Sequence, residues 1–201
     1  MKAISYRRIS ITAFLILSTI YFMRQYHHLL DMTPAALGKY YSVRLALFGH
    51  IMPASIALLT APFQFIKSLR NRYLTAHRWT GRLYIVCILL SILSALYLTF
   101  TTTMVIGKMY TFSLWFLLLA WFITTYMTYI TAKQKKFKDH SEWAVRSYLV
   151  TFAFIIQNYI LKLPGFDALG SFAEVSPNMF WLSWSIPLLI YQVYLSFIKN
   201  G

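Results

Sequence analysis

Four uninterrupted apolar runs restrict this chain more than any other feature. Residues 45–66, 83–107, 109–132 and 175–198 are free of charge or nearly so. About 20 such residues are needed for a helix to cross the hydrocarbon core. Two shorter runs, 9–23 and 147–161, become long enough when Arg24 and Arg146 extend their stems toward an interface. Lipid supplies no hydrogen-bond partners, so only helices and closed barrels can span it. A barrel would alternate apolar and polar residues over strands of about 10 residues. These runs are continuous and longer. The expected fold is therefore an all-α integral membrane bundle of six transmembrane helices, a single domain over 1–201. Within it, 1–44 form an anchor helix and outer loop, 45–163 a four-helix core, and 164–201 an outer loop and last helix. The first run has a basic start but no small-x-small cleavage site before Arg24, so it reads as an uncleaved anchor.

Charge sets the expected orientation. With the N-terminus inside, the inner segments hold Lys2, Arg7, Arg8, then Lys67, Arg70, Arg72, Arg78, Arg82. They also hold Lys133, Lys135, Lys136, Lys138, Arg146 and Lys199, making 14 of the 19 basic residues. Arg24, Lys39, Arg44, Lys108 and Lys162 fall outside. Positive residues collect on the cytoplasmic side, so both termini are expected there, in a bacterial inner membrane. The same rule accounts for the net charge of +14 and leaves nucleic acid without a role as partner. Charged residues make up only 12% of the chain, about half the share of a soluble domain. Cys87 is the single cysteine, which rules out an internal disulfide and a cysteine metal cluster.

Three histidines stand out because each sits above small residues at helical spacing. His77 precedes Gly81 and Tyr84, His140 precedes Ala144 and Ser147, and His50 precedes Ala54 and Ala57. A ligand could fill the space so made. Close packing of membrane helices uses the same small residues and needs no ligand. His77 and His140 lie at the cytoplasmic rim by topology, whereas His50 lies inside an apolar run nearer the outer side. The 14 residues from His50 to Gln64 span about 20 Å of helix, so His50 is too distant to share one metal with the other two. His77 and His140 could serve as the two axial ligands of a haem. His27 and His28 read as a solvated loop. Asp139 and Glu142 read first as a capping box for the fifth helix. Gln64 and Asn158 are polar residues within spans, and His50 with Asn158 would make a polar cluster. Arg82 and Arg146 contact lipid phosphates or an anion, or only snorkel. No confident metal site and no catalytic set emerge, since HExxH, G-x-S-x-G, P-loop and dinucleotide motifs are all absent.

A basic loop followed by His77…Arg82-Leu-Tyr84 has an echo in His140…Arg146-Ser-Tyr148. The stretches GHIMPASIALLTAPFQF, LRNRYLTAHRWTGRLYI and DHSEWAVRSYLVTFAF, in that order, resemble a family of bacterial multi-pass membrane proteins named for a domain of unknown function, DUF2306. The resemblance covers roughly residues 45 to 163. His50, Pro62, Gln64, His77, Arg78, Gly81, Arg82, Tyr84, His140, Trp143, Arg146 and Tyr148 match its pattern. Ala144 stands where the pattern tends to have methionine, and Asn158 where it tends to have arginine. The resemblance implies the multi-pass architecture and no particular activity.

Three function classes stay open at this point. One is a histidine-lined membrane redox protein resembling a b-type cytochrome, with haem on His77 and His140. The second is a binding or transport module for a small ligand or lipid, with His50, His77 or His140 in its cavity and Gly81, Arg82, Tyr84, Arg146, Tyr148, Asn158 and Gln64 lining it. The third is an assembly or scaffold protein for a respiratory complex, whose partners are membrane proteins or copies of itself. Whether the chain is an enzyme is left open.

Overall fold

The computed structural model describes residues 6–199. Lys2, part of the basic start, lies outside them. Every regular element among the described residues is helical, with no strand, as backbone satisfaction within lipid demands. The chain divides into two compact units, Met1–Ser94 and Ala95–Gly201.

The first unit holds α1 (Tyr6–Gln25), the short helix α2 (Pro34–Leu37), α3 (Arg44–Gln64), α4 (Lys67–Arg72) and most of α5 (Leu74–Leu98). Single 3-10 turns, His27–Leu30 and Gly38–Val43, join α1 to α2 and α2 to α3. Helix α1 packs along α3. Helices α3 and α5 approach closely at Gly49, where an added Cβ would come within 2.8 Å of the Ser94 hydroxyl. Absence of a side chain at Gly49 makes room for the Ser94 side chain there. Ala57, Ile88 and Ser91 are all 0% exposed, which places the seam of this unit on those faces.

The second unit continues through a π-helical turn, Thr99–Thr103, to α6 (Lys108–Lys133), α7 (Phe137–Thr151), α8 (Ala153–Ile160) and α9 (Phe172–Val193). Helix α7 runs antiparallel to α6, since Trp121 meets Thr151 and Thr128 meets His140. Helix α9 starts beside the start of α6: the Tyr110 ring lies 5.8 Å from Phe172 and 5.5 Å from Phe180. The α7–α8 pair thus returns the chain from the end of α6 to the level of its beginning. Ser171 and Glu174 start α9 with a reciprocal capping box. Glu174 accepts from the Ser171 amide at 2.8 Å and from its hydroxyl at 2.7 Å. Gly170 precedes them at φ 133, and a Cβ there would lie 2.9 Å from the Glu174 carboxylate.

Four helical stretches are long and apolar enough to cross a membrane: Pro34–Gln64, Leu74–Thr103, Lys108–Lys133 and Phe172–Phe197. They coincide with the four long apolar runs. Helix α1 and the α7–α8 pair are not among them. The fifth run, expected as one helix, is two pieces of 15 and 8 residues that part at Phe152. No proline or glycine marks that break. A second difference concerns the start of α7. It begins at Phe137 after Lys136, with no side-chain cap, so Asp139 and Glu142 lie inside the helix and do not form the expected capping box.

Candidate functional site

The site begins with how α3 ends. Helix α3 stops at Gln64 and the chain makes the extra turn of α4 before α5 starts. Residues from the end of α3, from α4 and from the start of α5 line a cleft of ≈ 260 Å³. Phe63, Leu69, Tyr73 and Ala76 give it apolar walls. Thr60, Gln64, Thr80, Arg70 and His77 supply its polar groups. The walls remain accessible, Phe63 at 45%, Leu69 at 39% and Tyr73 at 48% exposed. The volume lies just under the range of pockets that enclose a drug-sized ligand. It suits a headgroup or a ring better than a large cofactor.

Within the cleft, Gln64 donates its amide N–H to the Thr80 hydroxyl. Thr80 in turn donates to the carbonyl of Ala76 at 2.8 Å and, more weakly, to that of His77 at 3.3 Å. This fixes the floor. Gly81, expected to open space beneath His77, does so: an added Cβ would meet only the Gln64 amide oxygen, at 3.9 Å. Tyr84 is 6% exposed and belongs to the packed interior beyond the cleft. Arg82 is exposed and its guanidinium lies 5.1 Å from the Trp79 ring centre, as an interface anchor would. Of the residues singled out from the sequence, His77 and Gln64 line this cleft; Arg70, Tyr73 and Thr80, which line it with them, were not singled out.

His50 is placed differently. Its Nδ1 lies 3.0 Å from the Ser91 carbonyl, and the Ser91 hydroxyl donates back to the His50 carbonyl at 3.0 Å. A carbonyl can only accept, so Nδ1 carries the proton. This reciprocal pair ties α3 to α5, 41 residues apart in sequence. Ser91, one partner of His50, is a residue that sequence reasoning did not single out.

His140 repeats the device in the second unit. Its Nδ1–H donates to the Thr128 carbonyl at 2.9 Å. Two more rungs continue the seam between α6 and α7: Thr125 with Ser147 at 2.9 Å, and the Trp121 indole N–H on the Thr151 hydroxyl at 2.8 Å. Ser147 is 0% exposed, so the small residue below His140 serves close packing. Tyr148 is buried beside Phe152, with ring centres 5.8 Å apart. Asn158 is buried on α8. Arg146 does more than snorkel. It donates to Gln192 at 2.8 Å and lies over the rings of Trp143 and Tyr191, at 4.8 and 5.4 Å, fastening α7 to α9. In the turn after α1, His27 donates to the Arg24 carbonyl at 2.8 Å and is exposed. Among the described residues no three histidine, cysteine, aspartate or glutamate side chains gather as a metal-holding group.

The family model described as predicted membrane protein (DUF2306) matches residues 47–195. The chain belongs to the DUF2306 family. The match runs past residue 163, where the stretch that carried the resemblance ends, and takes in the whole of α9. It therefore covers the cleft, both histidine ties and the Arg146–Gln192 link. No curated protein and no solved structure matches the chain significantly.

Proposed function

We propose that this membrane protein is a binding module for a small amphiphile, held in the cleft beside His77. The observation that carries this reading is the cleft itself. Its lining is mainly apolar, and Arg70, His77 and Gln64 stand among the lining residues, as a site for a polar-headed apolar ligand requires. The reading places the cleft at the cytoplasmic rim of a six-crossing bundle in the bacterial inner membrane, with both termini inside. Support for the fifth crossing comes from α9 starting beside the start of α6, which obliges α7–α8 to carry the chain back. Support for the orientation comes from the basic residues Lys67, Arg70, Arg72, Arg78 and Arg82 around the cleft. Native mass spectrometry of the detergent-purified full chain tests the proposal. Ala76→Trp, which fills the cleft, is expected to abolish the retained lipid-sized adduct. Retention equal to that of the parent chain refutes it.

One observation favours a redox reading as a second candidate. His140 donates through Nδ1 to a carbonyl, which leaves Nε2 as the lone-pair nitrogen, the state of a metal-ligating imidazole with its orienting partner in place. Haem reconstitution followed by an optical spectrum tests it. A Soret band lost in His140→Ala supports haem ligation, and a featureless spectrum removes it.

A further inference from the structure

We infer that the ligand of this cleft is an anion, bound through a phosphate, and that the headgroup of an anionic phospholipid supplies it. This rests on the binding reading above and assigns its ligand class.

Three observations converge. First, Arg70 lines the cleft half-buried, and among the described residues its guanidinium has no hydrogen bond, ion pair or ring contact. Arg72 and Arg82, by contrast, lie over Tyr73 and Trp79 at 5.2 and 5.1 Å. A half-buried cation without a partner is costly, and a planar guanidinium matches a phosphate through two parallel hydrogen bonds. Second, no carboxylate competes for it. The cleft has no acidic lining residue, and the sequence has none between Asp31 and Asp139. The first unit carries Asp31 against 11 basic residues, so its counter-charge has to come from outside the unit. Third, Gln64 has a second amide N–H to give, and Phe63, Leu69 and Tyr73 offer apolar surface in the same cleft. A free phosphate would use the donors alone. The exposed apolar walls favour a phosphate that arrives with acyl chains.

The test uses the full chain in nanodiscs of phosphatidylcholine with a minority of phosphatidylglycerol, followed by native mass spectrometry of the retained lipid. The parent chain is expected to favour phosphatidylglycerol by about tenfold, the scale of one charge-assisted pair. Arg70→Gln is expected to bring that preference near parity, and Arg70→Lys to keep most of it. Lys67→Gln removes the same charge from the same short helix but outside the cleft, and is expected to change little. Equal loss in Lys67→Gln and Arg70→Gln overturns the site in favour of diffuse surface potential. An unchanged preference in Arg70→Gln overturns it outright. Displacement by millimolar inorganic phosphate supports the phosphate chemistry with a soluble occupant, and resistance to it supports the lipid. The two layers fail separately. If Ala76→Trp retains both lipids, the cleft is not the binding site. If Ala76→Trp loses both while Arg70→Gln still prefers phosphatidylglycerol, only the phosphate assignment falls.

Discussion

The two units use one sequence pattern and finish it in opposite ways. In each, a basic connection leads to a histidine, a small residue four positions on, an arginine beyond that and then a tyrosine. In the second unit the connection is only Gln134–Lys136, with Lys135 in the left-handed region at φ 59. The turn is tight, so His140 reaches back to the Thr128 carbonyl and the end of the hairpin closes. In the first unit the connection is long enough to hold α4, whose Leu69 and Arg70 line a cleft together with His77. The histidine tie of the first unit sits instead at the opposite end, at His50 and Ser91. Connection length, rather than the histidine, decides whether the site is closed or open.

That contrast can be broken by adding bulk to each side. The largest effect is expected from Ser147→Phe in the closed seam. Ser147 is wholly buried against Thr125, so overpacking should cost about 1–3 kcal/mol and lower the melting temperature in detergent clearly. Loss of the Ser171 cap is expected next. Ser171→Ala removes the hydroxyl half of the capping box and leaves the backbone N–H to Glu174, and should cost about 0.5–2 kcal/mol, read by the same melt. Removing one polar rung, as in Trp121→Phe or His50→Ala, should cost less, about 0.6 kcal/mol and at most ~1.7, since membrane hydrogen bonds are individually modest. Smallest is Ala76→Trp at the open cleft. Its residue is exposed, so stability should stay within about 0.5 kcal/mol while ligand retention is lost. A large destabilisation by Ala76→Trp, or none by Ser147→Phe, would end the distinction between open and closed ends.

Particular residues show what was legible in the sequence. The four long helices follow directly from uncharged length, because hydropathy over 20 residues is a strong signal. The break at Phe152 carries no proline or glycine, so local chemistry could not announce it. The capping box was within reach, since Ser171 and Glu174 stand three apart ahead of an apolar run. Asp139 and Glu142 have the same spacing, but α7 begins two residues ahead of Asp139, and spacing alone does not place a helix start. For the cleft, His77 and Gln64 were visible because polar residues at the edge of a span are conspicuous. Arg70 and Tyr73 were not, because their place depends on the path of the short connection between α3 and α5. Ser91 could not be paired with His50 from sequence, since that requires the register of two helices whose partners lie 41 residues apart.

The long stretch without acids, from Asp31 to Asp139, has a practical side. A unit that lacks its own counter-ions is an electrolyte half, completed by whatever surrounds it. Extraction into an uncharged detergent removes that other half, and high salt replaces it with mobile ions that screen within about 10 Å at 0.1 M. The solubilising agent and the ionic strength therefore become components of the molecule, and two laboratories choosing differently would be weighing two different species.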